Sequence, residues 1–251
     1  MDIIQTFYDH MAPQYHKLFL DWNATTHSQA VILDNIFRSN GFGPSATVLD
    51  CACGIGTQAI GLAELGYAVT ASDISDGALA EAVKRAAANH ADIRFAHADF
   101  CTLADTFRNT FDIIICMDNA LPHMLSRSAL ASAIGSITGR LKESGIFVAS
   151  IRDYDTLLID KPSYSPPYIH KTANGQRVCF QTWDWEDDHY RLVQYILDDE
   201  NTLGIHKFVC EYRAVRRSEI TDLLLASGCR EVTWLFPEET DFYQPIVVAR
   251  K

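Results

Sequence analysis

The stretch Val48-Leu49-Asp50-Cys51-Ala52-Cys53-Gly54-Ile55-Gly56-Thr57 decides the fold, together with Asp73 at the end of the next apolar run. An apolar strand breaks into a glycine turn, and the residues after the turn read as a helix. Such a turn lets the backbone approach a ligand at the carboxyl edge of a sheet. Asp50 selects the kind of ligand. It ends the strand where a dinucleotide would place its pyrophosphate, and a carboxylate there repels a diphosphate but suits a cationic amine. The spacing also departs from the dinucleotide fingerprint, because Ala59 stands where a third glycine is expected. A nucleoside carrying an amino acid fits this turn better than a dinucleotide.

Outward from the turn, strands and helices alternate. The patterning predicts strands at 47–51, 67–72, 92–97, 111–116 and 145–151, and helices at 57–65, 76–89 and 128–141. Alternation of this kind means an α/β fold: a doubly wound, mostly parallel sheet with right-handed crossovers. Residues 1–40 read as helical, with a break at Pro13, and Gly41-Phe42-Gly43-Pro44 stops the second helix. After Ile151 the grammar changes. Lys161-Pro162-Ser163-Tyr164-Ser165-Pro166-Pro167-Tyr168 is a proline-rich loop, and aromatic and β-branched runs follow near 176–185, 189–199 and 205–214. Glu186-Asp187-Asp188 and Asn201-Thr202-Leu203-Gly204 read as turns between them, so the segment reads as an inserted antiparallel β meander. A helix at 217–227 ends at Gly228, and strands at 229–236 and 243–250 close a seven-stranded sheet. The expected layout is one domain over 1–251: a helical N-terminal cap (1–44), a ligand-binding core (45–151), the insertion (152–214) and a C-terminal helix with the last two strands (215–251).

These residues resemble the Rossmann-like, class I S-adenosylmethionine-dependent methyltransferases. Asp50-Cys51-Ala52-Cys53-Gly54-Ile55-Gly56 is similar to their first motif, an acid and a small residue before Gly-x-Gly. Asp73, seventeen residues after Gly56, resembles the acid they place on the ribose hydroxyls. Asp99-Phe100, after the strand-like Asp92–His97, resembles the pair that meets the adenine. Phe111 to Asn119 resembles the fourth strand and its catalytic-face end. The motifs keep their order over about residues 45–150. The resemblance implies S-adenosyl-L-methionine as methyl donor and S-adenosyl-L-homocysteine as product. It places Asp50, or the backbone around Ala52 and Gly54, on the donor's amine, and the turn amides of Gly54 and Gly56 on its carboxylate. Asp73 and Ile74 then take the ribose, Asp99 and Phe100 the adenine, and Met117 the end of the fourth strand. Tyr8 and Tyr15 are the expected aromatic contacts, since a sulfonium is a soft cation. Other readings stay open: Asp73 and Asp99 as caps, and the N-terminal aromatics as core.

On the acceptor side, Asn119 and His123, with Arg152 after the fifth strand, are similar to the glycine/sarcosine N-methyltransferase group. The resemblance implies that Asn119 and Arg152 hold a substrate carboxylate while His123 shapes the site or relays a proton. An arginine at the end of a central strand is also a ready bidentate carboxylate clamp. Alternatives are an ion pair of Arg152 with Asp153 or Asp155, and a His123 whose ring nitrogens are satisfied locally. The insertion's Tyr168, Trp183, Trp185 and Tyr195 point either to a larger, flatter substrate or to a structural sheet face. An oxygen-ligand magnesium site from Asp99, Asp118 and Asn119 is the competing reading, but Asp99 is better used on adenine and no further carboxylate is evident, so no metal is expected.

Composition narrows the partners. Formal charge is −11, with 32 acidic and 21 basic residues, and the densest basic cluster is only Arg213, Arg216 and Arg217. Polyanion binding relies on phosphate neutralisation, so a nucleic-acid substrate is disfavoured. The base-clamping Asn/Asp-Pro-Pro-aromatic motif of nucleic-acid amino-methyltransferases is also missing from Asp118-Asn119-Ala120-Leu121-Pro122-His123. Seven cysteines cannot all pair, and Cys116, Cys179 and Cys210 sit in apolar runs, as in a reducing compartment. With no signal-like start at Met1-Asp2-Ile3 and no membrane-length apolar run, a cytoplasmic monomer or homodimer is expected. The expected activity is N-methylation of an amine or ring nitrogen on a small molecule. The alternatives are a small-molecule O-methyltransferase, a non-catalytic S-adenosylmethionine-binding protein, and a nicotinamide-dependent oxidoreductase.

Overall fold

The computed structural model describes residues 3–200 and 203–251. Five parallel strands, β1 (Thr47–Asp50), β2 (Ala68–Asp73), β3 (Ile93–His97), β4 (Phe111–Cys116) and β5 (Leu141–Ser150), form the centre of the main sheet. The helices are α1 (Ile3–Tyr15), α2 (Trp22–Ser39), α3 (Thr57–Glu64), α4 (Asp76–Ala88), α5 (Leu103–Thr106), α6 (Arg127–Thr138), α7 (Tyr154–Asp160), α8 (Arg217–Ala226) and α9 (Pro237–Thr240). After β5 come β6 (Tyr168–Thr172), β7 (Gly175–Glu186), β8 (His189–Asp198) and β9 (Gly204–Arg213), which pair antiparallel in chain order as a separate four-stranded sheet. β10 (Glu231–Leu235) and β11 (Ile246–Arg250) then return to the main sheet, whose order is β10-β11-β5-β4-β1-β2-β3. β11 runs antiparallel to both its neighbours.

Both faces of the main sheet are covered, which is why β4 from Ile113 and β5 from Ile146 read as apolar runs without alternation. Leu49, Ile114 and Phe147 pack on the side of Leu130, Ile134 and Ile137 of α6 and Leu224 of α8. Their neighbours Val48, Ile113, Ile115, Ile146 and Val148 meet Ala30, Leu33 and Phe37 of α2 and Ala59 and Leu62 of α3. Between β1 and α3 the chain turns on two left-handed glycines, Gly54 (φ +52°) and Gly56 (φ +89°). A side chain at Gly56 would also press Ile60, since a Cβ there meets its Cδ1 at 3.0 Å.

Several expectations shift at their edges. α1 continues through Pro13 to Tyr15 and only then tightens into a 3-10 turn at His16–Leu18. Pro13 removes one late intrahelical donor, while buried Phe7, Met11 and Ala12 hold the helix by packing. α6 ends at Thr138, and β5 starts early at Leu141, which pairs with Phe111 before a register shift. The antiparallel sheet gains an edge strand, β6, just after the proline-rich loop, where no strand was expected; Tyr168 and Ile169 are exposed there, so no alternation marked it. Of the second expected turn, Asn201 and Thr202 lie outside the described residues, as do Met1 and Asp2 of the N-terminal helical reading. Among the described residues, no helix is long and apolar enough to cross a membrane.

α1 is clamped at its middle and beyond its C-terminal end. At mid-helix, Asp9 Oδ1 accepts from Ser75 Oγ at 2.7 Å and from the Gly77 amide at 2.8 Å. That places a carboxylate on the positive N-terminus of α4. Beyond the C-terminal end, Lys17 pairs with Asp198 of β8, and Arg177 of β7 donates to the carbonyls of Lys17 and Leu20 at 3.1 and 3.3 Å. At Gly77 a Cβ would lie 2.9 Å from Asp9 Cα, so only glycine permits this approach. Gly77→Ala should therefore destabilise the protein by about 1–3 kcal/mol in denaturant unfolding. Wild-type stability in that variant would mean that the α1–α4 contact is not tight.

Candidate active site

At the carboxyl ends of β1, β2 and β4, beneath α1, lies a cleft of about 910 Å³ including its part open to solvent. Its walls include ten of the residues singled out from the sequence: Tyr8, Tyr15, Ala52, Gly54, Asp73, Ile74, Asp99, Phe100, Met117 and His123. Asp50, Gly56, Asn119 and Arg152 stand outside this wall. Asp50, expected to face the ligand's amine, instead lies fully buried behind the turn. Its Oδ1 accepts weakly from the Ala52 amide at 3.3 Å, and its Oδ2 has no hydrogen-bond partner among the described residues. Burial pushes its carboxyl well above the usual range, and the nearby Asp73 and Asp118 push the same way. Gly56 acts one step back, as the left-handed residue that starts α3.

Asp73 ends β2 and ties the turn together. Its Oδ2 accepts from the Gly54 amide at 2.8 Å and its Oδ1 from the Ser75 amide at 2.9 Å. Burial raises its pKa, and the amides of Ser75, Gly54 and Ile74 pull it back. The cap of α4 itself is Ser75, whose Oγ accepts from the Ala78 amide at 2.9 Å. Asp99 does cap a 3-10 turn, accepting from the Cys101 amide at 2.8 Å, and it borders the cleft as well.

The end of β4 is unusual. Asp118 (φ +55°) and Asn119 (φ +68°) are both left-handed, although neither is glycine. Ser150, at the end of β5, pins them: its Oγ accepts from the Asp118 amide at 2.8 Å, and its carbonyl accepts from the Asn119 amide at 3.1 Å. The same hydroxyl donates to Gln244 Oε1 at 2.8 Å. The resulting turn brings Asn119 and Arg152 together. Asn119 Oδ1 accepts from the Arg152 amide and from the Tyr154 hydroxyl, each at 3.0 Å. Its buried Nδ2 has no partner among the described residues.

Arg152 carries no ion pair to its neighbours. Asp153 and Asp155 pair with Arg217, and Asp155 also lies 3.8 Å from Arg216. The Arg152 guanidinium instead donates to the Tyr190 hydroxyl at 3.1 Å and to Gln181 Oε1 at 2.9 Å. It sits 5.0 Å from the Trp183 ring and 5.8 Å from the Tyr212 ring. His123 is buried in a 3-10 turn, with Nε2 2.8 Å from the Tyr8 hydroxyl and Nδ1 3.6 Å from Cys210 Sγ. Its ring packs on Tyr212 at 4.2 Å, so the locally satisfied histidine is the arrangement observed.

Sequence reasoning considered Asp118, which borders the cleft, only as a magnesium ligand, and passed over Gln181, Tyr190 and Tyr212 around Arg152. Alternation along β7 to β9 was the available signal for the inner face of that sheet. Of the insertion's aromatics, Trp183 and Trp185 lie on that face, packed near Tyr190. Tyr195 stacks on Phe180 on the other face, and Tyr168 is exposed. Among the described residues, no three acidic, histidine or cysteine side chains converge as a metal site.

A family model described as a methyltransferase domain matches residues 48–145. The chain is 25% identical over 248 residues to a glycine/sarcosine N-methyltransferase of Parasynechococcus marenigrum, spanning 94% of this chain and 83% of that protein. Among solved structures, an S-adenosylmethionine-dependent methyltransferase from Clostridium acetobutylicum superposes with a TM-score of 0.74 at 18% identity, covering 96% of each chain. A sugar N-methyltransferase from Streptoalloteichus does so with 0.73 at 18% identity, over 90% of this chain and 87% of that one. The protein is a class I S-adenosylmethionine-dependent methyltransferase of the small-molecule type. Within that class it resembles the glycine/sarcosine N-methyltransferase group.

The cleft suits that donor. No heavy atom lies within 4 Å of a Cβ built on Gly54, so a ligand can approach the backbone there. Asp73 presents a carboxylate, and Ile74, Ala98 and Phe100 supply apolar surface for a base. The contact between Asn119 and Arg152 depends on the pinned turn after β4. Ser150→Ala should destabilise the protein by about 1–3 kcal/mol in denaturant unfolding, since it strands the buried Asp118 amide and Gln244. An unchanged midpoint would show that the turn holds without this hydroxyl.

Proposed function

We propose that the enzyme methylates a nitrogen, an amine or ring nitrogen, on a small acceptor that also carries a carboxylate. The observation that carries this reading is Arg152: a mostly buried guanidinium held by neutral partners while the neighbouring carboxylates pair elsewhere. Such a fork is a ready clamp for a planar anion. The unpartnered Asn119 Nδ2, tied to Arg152 through Oδ1, adds a second donor on the same side. The names of the glycine/sarcosine and sugar N-methyltransferases that the chain resembles support nitrogen as the atom methylated.

The donor, when bound, supplies a methyl group already activated on a sulfonium. The chain's own residues position and enclose. Asp73 accepts from the ribose hydroxyls, Asp99 and Phe100 take the adenine, and the amides of the Ala52–Gly54 turn take the amino-acid carboxylate. Tyr8 and Tyr15 line the cleft from α1 and offer aromatic faces to a cationic centre. Arg152 and Asn119 fix the acceptor, and orientation of this kind contributes about 7–11 kcal/mol toward a displacement. A neutral amine needs no base before it attacks. A hydroxyl acceptor would want one, and both ring nitrogens of His123, the histidine on the cleft wall, are already engaged.

Purified enzyme should therefore N-methylate members of a panel of amino acids and amino sugars bearing carboxylates, with the methylated atom located by mass spectrometry and NMR. Exclusive methylation of phenolic or carboxyl oxygens would overturn the reading. Arg152→Gln should raise the acceptor KM by about 10–100-fold while S-adenosylhomocysteine affinity stays unchanged. Arg152→Lys should not restore it, because an ammonium lacks the fork.

A further inference from the structure

We propose that Asp118 is an ammonium-binding carboxylate and that it takes the α-ammonium at the amino-acid end of the methyl donor. This rests on the donor's occupying the cleft described above and is independent of which acceptor the enzyme uses. Asp118 borders the cleft in company with Cys53 and Gly54 of the glycine turn. It is bound to the helix that follows that turn: Gln58 Nε2 donates to its Oδ2 at 2.9 Å. The Tyr243 hydroxyl donates to its Oδ1 at 2.7 Å. Gln58 Nε2 donates also to Gln29 Oε1 at 2.7 Å, so both protons of that amide are committed and its orientation is fixed.

The carboxylate is thus immobilised by neutral donors, and no lysine, arginine or histidine among the described residues lies within ion-pair distance of it. A mostly buried charge without a counter-ion is costly. Each oxygen accepts one of these bonds and keeps acceptor capacity for another. Its left-handed backbone carries a further cost that glycine would avoid, so the side chain is retained at some expense. Asp50, the acid of the first motif, is hidden behind the turn, which leaves Asp118 as the carboxylate on this part of the wall.

Chemistry separates the two ammonium groups that could meet it. An acceptor amine clamped by a buried anion would stay protonated and would have no lone pair for attack. The donor's α-ammonium takes no part in the transfer, and holding it costs the reaction nothing.

The titratable groups facing Asp118 are Tyr15 of α1, Tyr243 before β11 and Asp50 of β1. Enclosure of their hydroxyl groups, with the Asp118 carboxylate beside them, holds both tyrosines well above their usual pKa, so they stay neutral in the assay range. Burial also raises the Asp118 carboxyl, and the bonds from Gln58 and Tyr243 lower it part of the way back.

Calorimetric titration tests the proposal with S-adenosylhomocysteine and with its analogue lacking the α-amino group. Asp118→Asn should weaken S-adenosylhomocysteine by about tenfold or more and leave the deaminated analogue unaffected. Asparagine tolerates the left-handed region, so the turn should survive, and Asp118→Gly provides a second variant that relaxes it. For the wild type, S-adenosylhomocysteine affinity should fall as pH drops through the raised Asp118 pKa, because the protonated acid cannot hold a cation. That acid limb should be missing in Asp118→Asn. Unchanged S-adenosylhomocysteine affinity in both variants overturns the proposal, as does equal weakening of the two ligands, which would mark a purely structural role.

Discussion

One buried hydroxyl organises both halves of the site. Ser150 Oγ and the Ser150 carbonyl fix the amides of Asp118 and Asn119 in a conformation that neither residue favours in isolation. Because consecutive side chains diverge from this turn, Asp118 meets the cleft while Asn119 reaches Arg152 and Tyr154. The turn can exist only because β4 and β5 are adjacent and parallel, with Cys116 opposite Ala149. Register in the main sheet therefore sets the geometry of the chemistry.

The main sheet was legible in the sequence because both of its faces are covered by helices. Covered strands become unbroken apolar runs, and the intervening helices announce themselves through caps such as Ser75. The glycine turn was equally readable, since Gly54 and Gly56 adopt angles that side chains resist. What stayed hidden depends on tertiary contact. β6 is an exposed edge whose partner lies across a turn, so its composition carried little signal. That Asp50 is fully buried while Asp118 borders the cleft depends on the folded turns at the ends of β1 and β4, which residue spacing does not encode. Arg152 was recognisable by position, whereas its enclosure by Tyr190, Gln181 and Trp183 required the antiparallel sheet to be in place.

The charges around the site are segregated. Carboxylates at the ends of β1, β2 and β4 cluster toward the side proposed for the donor; burial raises the pKa of all three, and Asp73 and Asp118 raise that of Asp50 further. The unpaired guanidinium follows β5, on the side of the antiparallel sheet. The carboxylates Asp73 and Asp118 border the cleft, whereas the guanidinium of Arg152 lies outside its wall, so opposite charges are kept apart without a metal-type cluster among the described residues.

The antiparallel sheet and its lead-in form one uninterrupted piece of chain, from Arg152 to Arg213, entering and leaving at the rim of the parallel core. A recombination or insertion event confined to that stretch would exchange Arg152 together with the sheet that encloses it. Such an event would leave the strands, glycine turn and acids on the other side untouched. The segment is therefore built as a replaceable cassette, set beside a glycine-turn side of the cleft that does not depend on its chain path.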